Sequence, residues 1–103
     1  MSLIGSRVIG VNNNAWDDED TGAGGESAVV DLAYASKVSI FGNTSGETDV
    51  EVEVSADGND FFTVKTISAW NGDNHDFIET ASRYMRLKSS ADIKASITIS
   101  AKV

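Results

Sequence analysis

Apolar and polar residues alternate along the C-terminal end of this chain. Ile93, Ala95, Ile97, Ile99, Ala101 and Val103 are separated by Lys94, Ser96, Thr98, Ser100 and Lys102. Period two puts the first set on one face of a strand and the second on the other. The segment Asp49-Val50-Glu51-Val52-Glu53-Val54-Ser55 repeats the pattern with valines inward and acids outward. A helix would scatter those valines around its circumference. Residues 37–42 carry Val38 and Ile40 on one face, and residues 76–79 carry Phe77 and Ile78 as an apolar pair. Residues 61–67 follow Asp57-Gly58-Asn59-Asp60, a cluster with the chemistry of a hairpin turn. In residues 83–87, Met85 and Leu87 share one face, Tyr84 and Arg86 the other. Residues 7–11 and 28–32 complete the set, since Val29 and Val30 favour extension over a helical turn across 28–36. No segment sustains a 3.6-residue period. The pattern predicts an all-β protein, an antiparallel β-sandwich of jelly-roll type with about eight short strands. Proline is absent, so outward Glu51, Glu53, Lys94 and Lys102 are expected to protect strand edges.

One stretch breaks the alternation. Residues 12–26 are polar, acidic and glycine-rich, and such a stretch buries too little apolar surface to order itself alone. The expected organisation is an N-terminal strand or arm with its loop (residues 1–26), then a β-sandwich domain (residues 27–103). Leu3, Ile4, Val8 and Ile9, lying before that loop, are expected either to pack back as a strand or to reach a neighbouring subunit.

Length and charge narrow the function. A chain of 103 residues has room for one thin core but not for a deep substrate cavity as well. With no cysteine there is neither a disulfide framework nor a thiolate metal site. Sixteen acids against eight bases give a net charge of -8, and the bases form no positive stripe, which argues against nucleic acid as a partner. No apolar run approaches the roughly 20 residues that span a bilayer, and the first residues lack the pattern of a signal peptide. The expectation is a protein made in its host's cytoplasm that engages no membrane.

Candidate chemistry is sparse. Asp17-Asp18-Glu19-Asp20 suggests calcium but lacks the alternating ligand spacing of an EF-hand loop, and a solvated acidic loop accounts for it better. Turn chemistry accounts likewise for Asp57-Gly58-Asn59-Asp60. His75, the one histidine, has no cysteine or second histidine with which to bind zinc or build a triad, and it reads as an exposed loop residue. Gly22, Gly24 and Gly25 are followed by no lysine and flanked by acids, unlike a phosphate loop. No catalytic residue, metal site or cofactor is expected, and the chain is read as a non-enzyme. The tryptophans are open to two readings. Trp70, in an expected connection, is read first as a cap on the core and second as an anchor for a partner or a sugar ring. For Trp16 the two stand level.

Ser55-Ala56-Asp57-Gly58-Asn59-Asp60-Phe61 followed by Ser82-Arg83-Tyr84-Met85-Arg86-Leu87 resembles a pattern of discoidin-like β-sandwiches. There a strand ends in a Ser-x-Asp-Gly turn before an aromatic, and a later strand carries Arg-Tyr-x-Arg-Leu. The resemblance covers about a third of the chain and implies structure rather than function. The whole chain also resembles the small head-decoration and accessory proteins of tailed phages in size, acidity, lack of Cys and Pro, and β-rich, Thr/Ser-faced character. That likeness implies a virion structural protein on the capsid exterior. It would be a decoration or cement protein that binds the major capsid protein as a homo-oligomer, a trimer being the expected form. Leu3, Ile4, Val8, Ile9, Trp16 and Trp70 are then its candidate partner-binding residues. The alternative is a carbohydrate-binding or tail-associated module using the tryptophans as stacking platforms.

Overall fold

The computed structural model describes residues 10–33 and 35–102. Seven strands run through them: β1 (Gly10–Asp20), β2 (Gly25–Glu26), β3 (Val30–Asp31), β4 (Lys37–Ser55), β5 (Phe62–Glu79), β6 (Tyr84–Ser89) and β7 (Lys94–Lys102). Every pairing is antiparallel, and the described residues include no helix.

The two strands expected at 37–42 and 49–55 are halves of β4, and those at 61–67 and 76–79 are halves of β5. What joins the halves of β4 is a run whose inward positions are polar. Thr44 and Thr48 are buried where the alternation calls for apolar residues, which burial tolerates because both hydroxyls are bonded. Thr48 Oγ1 lies 2.7 Å from Ser89 Oγ, and Thr44 Oγ1 donates to Gly46 O and accepts from Gly72 N. At this point the β4–β5 ribbon bends through register shifts on both sides of Thr48, as bulges do. Ala69 and Gly72 take left-handed φ values of 54° and 79°.

The bend divides one sheet into two halves. Residues 37–44 of β4 pair with β7, which pairs with β1. Residues 50–55 pair with β6, which pairs with β2 and β3. Strand β5 follows β4 along both halves. The sheet curls until its inward faces meet, so that Val38, Ile40, Ile97 and Ile99 of one half join Val50, Val52, Met85 and Leu87 of the other in one core cluster. Each such aliphatic side chain, fully buried, contributes about 1.5–3 kcal/mol. On the β5 side an ion pair spans the seam. Lys65, opposite Val52, reaches Asp76, opposite Ile40, at 2.9 Å.

Three expectations change. Residues 12–20, expected as loop, form most of β1, because backbone bonds to β7 require no apolar side chains; Ala15 and Trp16 anchor the strand in the core, with register shifts on either side of Trp16. Glu51 and Glu53 guard no edge, because β4 is flanked on both sides, and Glu53 is only 7% exposed. Of residues 28–32 only Val30 and Asp31 pair as strand, and Val29 is exposed. Leu3, Ile4, Val8 and Ile9 lie outside the described residues.

The candidate binding face

The two halves of the sheet present outer faces of opposite character. On the β4–β6 half, charges neutralise one another. Arg86 Nε donates to Glu53 Oε1 at 2.7 Å, its Nη2 reaches Glu26 at 2.9 Å, and its guanidinium lies 4.0 Å from the centre of the Phe61 ring. This explains the burial of Glu53: the carboxylate sits under an arginine that a ring covers in turn. Arg83 pairs with Asp31, and Lys88 stands across the ladder from Glu51 and Glu26. Asp31 is held below the ordinary 3.8 by the Arg83 side-chain hydrogen bond first and the Ala33 N–H second.

The two segments that resemble discoidin-like sandwiches meet on this half, and their roles are structural. Ser55 pairs with Tyr84, and the Tyr84 ring packs over Gly58, whose φ of 83° suits glycine. Asp57 Oδ1 accepts the N–H groups of Asp60 and Asn59 and the Ser55 hydroxyl, while Ser55 Oγ accepts the N–H of Gly58. These bonds, the Asp60 N–H foremost, bring the Asp57 pKa down to about 2.

The outer face of the other half is built in four rows across β5, β4, β7 and β1. The first row is Glu79, Lys37, Lys102 and Gly10; the second is Phe77, Ser39, Ser100 and Asn12. In the third, His75, Phe41, Thr98 and Asn14 follow one another, and in the fourth Asp73, Asn43 and Ser96. The alternation of β4 and β7 that buries Val38, Ile40, Ile97 and Ile99 puts these side chains outside. Phe41 and Phe77, diagonal neighbours on adjacent strands, are 42% and 49% exposed. Around them lie hydrogen-bonding groups. A shallow depression of about 510 Å³ is lined by Phe41, Gly42, Asn43, Asp73, His75 and Ser96, with Asn74 at its rim. A second, of about 290 Å³, is lined by Phe77, Ser39, Ser100, Lys37 and Lys102, with Ala101 alongside. Gly42, in the lining of the first, lets β4 and β7 approach closely, since a Cβ there would stand 2.0 Å from Ser96 O and force the strands apart.

Internal bonds orient part of this surface. Asn43 Nδ2 donates to Asp73 Oδ1 at 2.8 Å, and Thr98 Oγ1 donates to Asn14 Oδ1 at 2.8 Å. Beneath the face, burial works against the charged form of Asp76. Hydrogen bonds from Lys65 and the Phe77 N–H, with the charges of Lys65 and His75, outweigh it and hold the carboxyl below 3.8.

The residues singled out from the sequence are differently placed. Trp70 has no exposure and lies at the ribbon's bend, its Nε1–H donating to Gly72 O at 3.0 Å. Trp16 is 4% exposed and belongs to the core. Neither indole is offered to a partner or a sugar. His75 lies on a strand rather than in a loop, beside Phe41. Asp17–Asp20 runs along the end of β1, where Asp18 N donates to Ser96 Oγ and Asp20 stands opposite Lys94. Among the described residues no group of three or more His, Asp or Glu is placed to hold a metal ion. The face that does gather aromatic and polar groups was half visible in the sequence: Ser39, Phe41, Thr98 and Ser100 fall at outward positions, but the facing of Phe77 and the adjacency of all five depend on pairing.

No family model matches the chain, and no curated protein matches it in sequence. Among solved structures, the SPBc2 prophage-derived protein YomS matches 99% of this chain and 100% of its own, with a TM-score of 0.72 at 4% identity. The PBSX exported protein XepA matches all of this chain with a TM-score of 0.54 at 17% identity, and the chain spans 38% of its length. CBM29_1, a family 29 carbohydrate-binding module from Piromyces equi, matches 89% of this chain and 91% of its own, with a TM-score of 0.58 at 8% identity. At these identities the likeness is one of fold: an antiparallel all-β sheet curled on one core.

Proposed function

We propose that this chain is a virion structural protein of a tailed phage, a non-enzymatic β-sandwich of jelly-roll type whose working surface is the outer face of β5, β4, β7 and β1. The observation that carries the reading is the contrast between the two outer faces. One is closed by ion pairs around Arg86, with Phe62 and Val64 exposed along its β5 edge, while the other gathers two exposed phenylalanine rings as neighbours among polar groups, some of them bonded to one another. Exposed rings that adjoin one another mark an interaction surface, where a lone exposed apolar residue does not. The whole-chain likeness to a prophage-derived protein supports the phage setting, and capsid decoration is the form that the sequence resemblance implies, with the major capsid protein as partner.

Size bears on how such docking works. Four strands and four rows cover roughly 14 by 20 Å, about 300 Å² in plan, well short of the roughly 800 Å² per partner of a standard interface. A single copy would therefore bind weakly, and a homo-oligomer such as a trimer would hold through several contacts at once. The test is co-sedimentation with empty capsid shells. The double substitution F41D/F77D should leave the melting curve near the parent's and abolish decoration; undiminished decoration by that variant would remove this face from the interface.

A second reading uses the same face for carbohydrate. Its specific support is the pairing of each exposed ring with a shallow depression, the one at Phe41 rimmed by hydroxyl, amide and carboxylate groups and the one at Phe77 by two hydroxyls and two lysines, the make-up of a sugar platform. The likeness in fold to a carbohydrate-binding module agrees with it. The platform would then be Phe41 and Phe77 rather than the tryptophans.

A further inference from the structure

Resting on the carbohydrate reading of this face, we propose that it selects an oligosaccharide carrying one acidic group and holds it in a fixed direction. The acidic group lies between Lys37 and Lys102, and the uncharged rings lie over Phe77 and Phe41 toward Asp73. The argument begins with how this acidic chain places its bases. Lys65 is paired with Asp76, Arg83 with Asp31, and Arg86 with Glu53 and Glu26. Lys88 stands opposite Glu51 and Glu26, and Lys94 opposite Asp20. Each of these described bases thus has a carboxylate in contact or directly across the ladder, and none has another base there.

Lys37 and Lys102 break that pattern. They are directly opposite each other on β4 and β7, both are exposed, and they line the same depression. Like charges so placed repel. Glu79, across from Lys37 on β5 and also exposed, offsets one of the two charges. Among the described residues a surplus of one positive charge remains, in a protein whose net charge is -8. That surplus matches a single carboxylate or sulfate. The Ser39 and Ser100 hydroxyls, opposite each other in the next row, are placed to donate to the same group.

The far end of the face has the opposite preference. Asp73 has one carboxylate oxygen engaged by Asn43 and the other available as an acceptor for sugar hydroxyls. Its charge repels an anion there, so an acidic group is tolerated only at the lysine end. The same logic rejects a polyanion, because Asp73 and the Asp17–Asp20 run would face its remaining charges. From the lysine row to the Asp73 row is roughly 20 Å, the span of a short oligosaccharide rather than a monosaccharide.

The experiment is a calorimetric titration of the full chain with two probes, a neutral β-linked glucose oligosaccharide and the same oligosaccharide bearing one terminal uronic acid. The acidic probe should bind about tenfold more tightly in low salt. The advantage should vanish in 0.5 M NaCl and in the K37M/K102M variant, whose melting temperature should stay near the parent's, since the repulsion between the lysines and the attraction of Lys37 to Glu79 are removed together. The F41S/F77S variant should lose both probes. If both probes bind equally and K37M/K102M changes nothing, the lysine pair is not part of the site, and the carbohydrate reading stands without it. If neither probe binds, both fall, and the face is left to a protein partner.

Discussion

Replacing Trp70 by alanine should remove most of what holds the β4–β5 ribbon in its bend. The indole is completely buried, and a side chain of its size hides roughly 150–250 Å². At about 25 cal/mol per Å² the transfer loss alone is roughly 4–6 kcal/mol, near the 3–5 kcal/mol usual for such truncations. The part-buried Nε1–H bond to Gly72 O, at 3.0 Å, adds about 1 kcal/mol. A loss of about 4 kcal/mol compares with a total stability of about 5–15 kcal/mol for a domain of this kind, and no disulfide supports this one. Trp70→Ala should therefore be marginally folded, so Trp70→Phe supplies the measurable arm. It keeps an aromatic in the bend and should cost about 1–2 kcal/mol. Urea unfolding followed by circular dichroism gives these differences, and Phe41→Ser in the same assay should fall within about 0.5 kcal/mol of the parent. An alanine variant within 1 kcal/mol of the parent would refute the reasoning. So would a phenylalanine variant of full stability that lost partner binding, which would return the indole to the role of an anchor.

The Arg86 cluster and the acid limb of stability give two more expectations. Arg86→Met keeps packing on Phe61 but strands Glu53, which is largely buried beneath it, and should cost about 2–3 kcal/mol after allowance for partial exposure. Adding Glu53→Gln should restore part of that loss in a double-mutant cycle; a double variant less stable than Arg86→Met would mean the pair is not coupled. Asp57 has a folded pKa of about 2 against an ordinary 3.8, and Asp31 and Asp76 shift the same way. Between those values the unfolded chain binds more protons, so their contribution is complete above about pH 4 and disappears toward pH 2. Melting temperature should fall over that window, and Asp57→Asn should flatten the decline; an unchanged slope would show that the turn is not what titrates.

Period two decided a good deal of this protein before any pairing was known. It assigned Val50, Val52 and Val54, Ile97 and Ile99, and Met85 and Leu87 to the inside, and all are buried. Turn chemistry marked the Asp57-Gly58 turn between β4 and β5. The alternation of a strand records which side each residue faces, because burial acts on side chains one by one. It carries no record of which strand lies alongside, since the backbone groups that make the ladder are the same in every residue. Hence β1 was hidden in a polar, glycine-rich stretch that pairs through its backbone. The unity of β4 was hidden by Thr44 and Thr48, polar side chains whose burial depends on hydroxyl partners elsewhere in the chain. The tryptophans looked like loop residues until the bend enclosed one and β7 drew the other into the core. The binding face is the clearest case: Lys37, Phe41 and Lys102 were legible as outward residues and Phe77 only as half of an apolar pair, and antiparallel register alone made them neighbours.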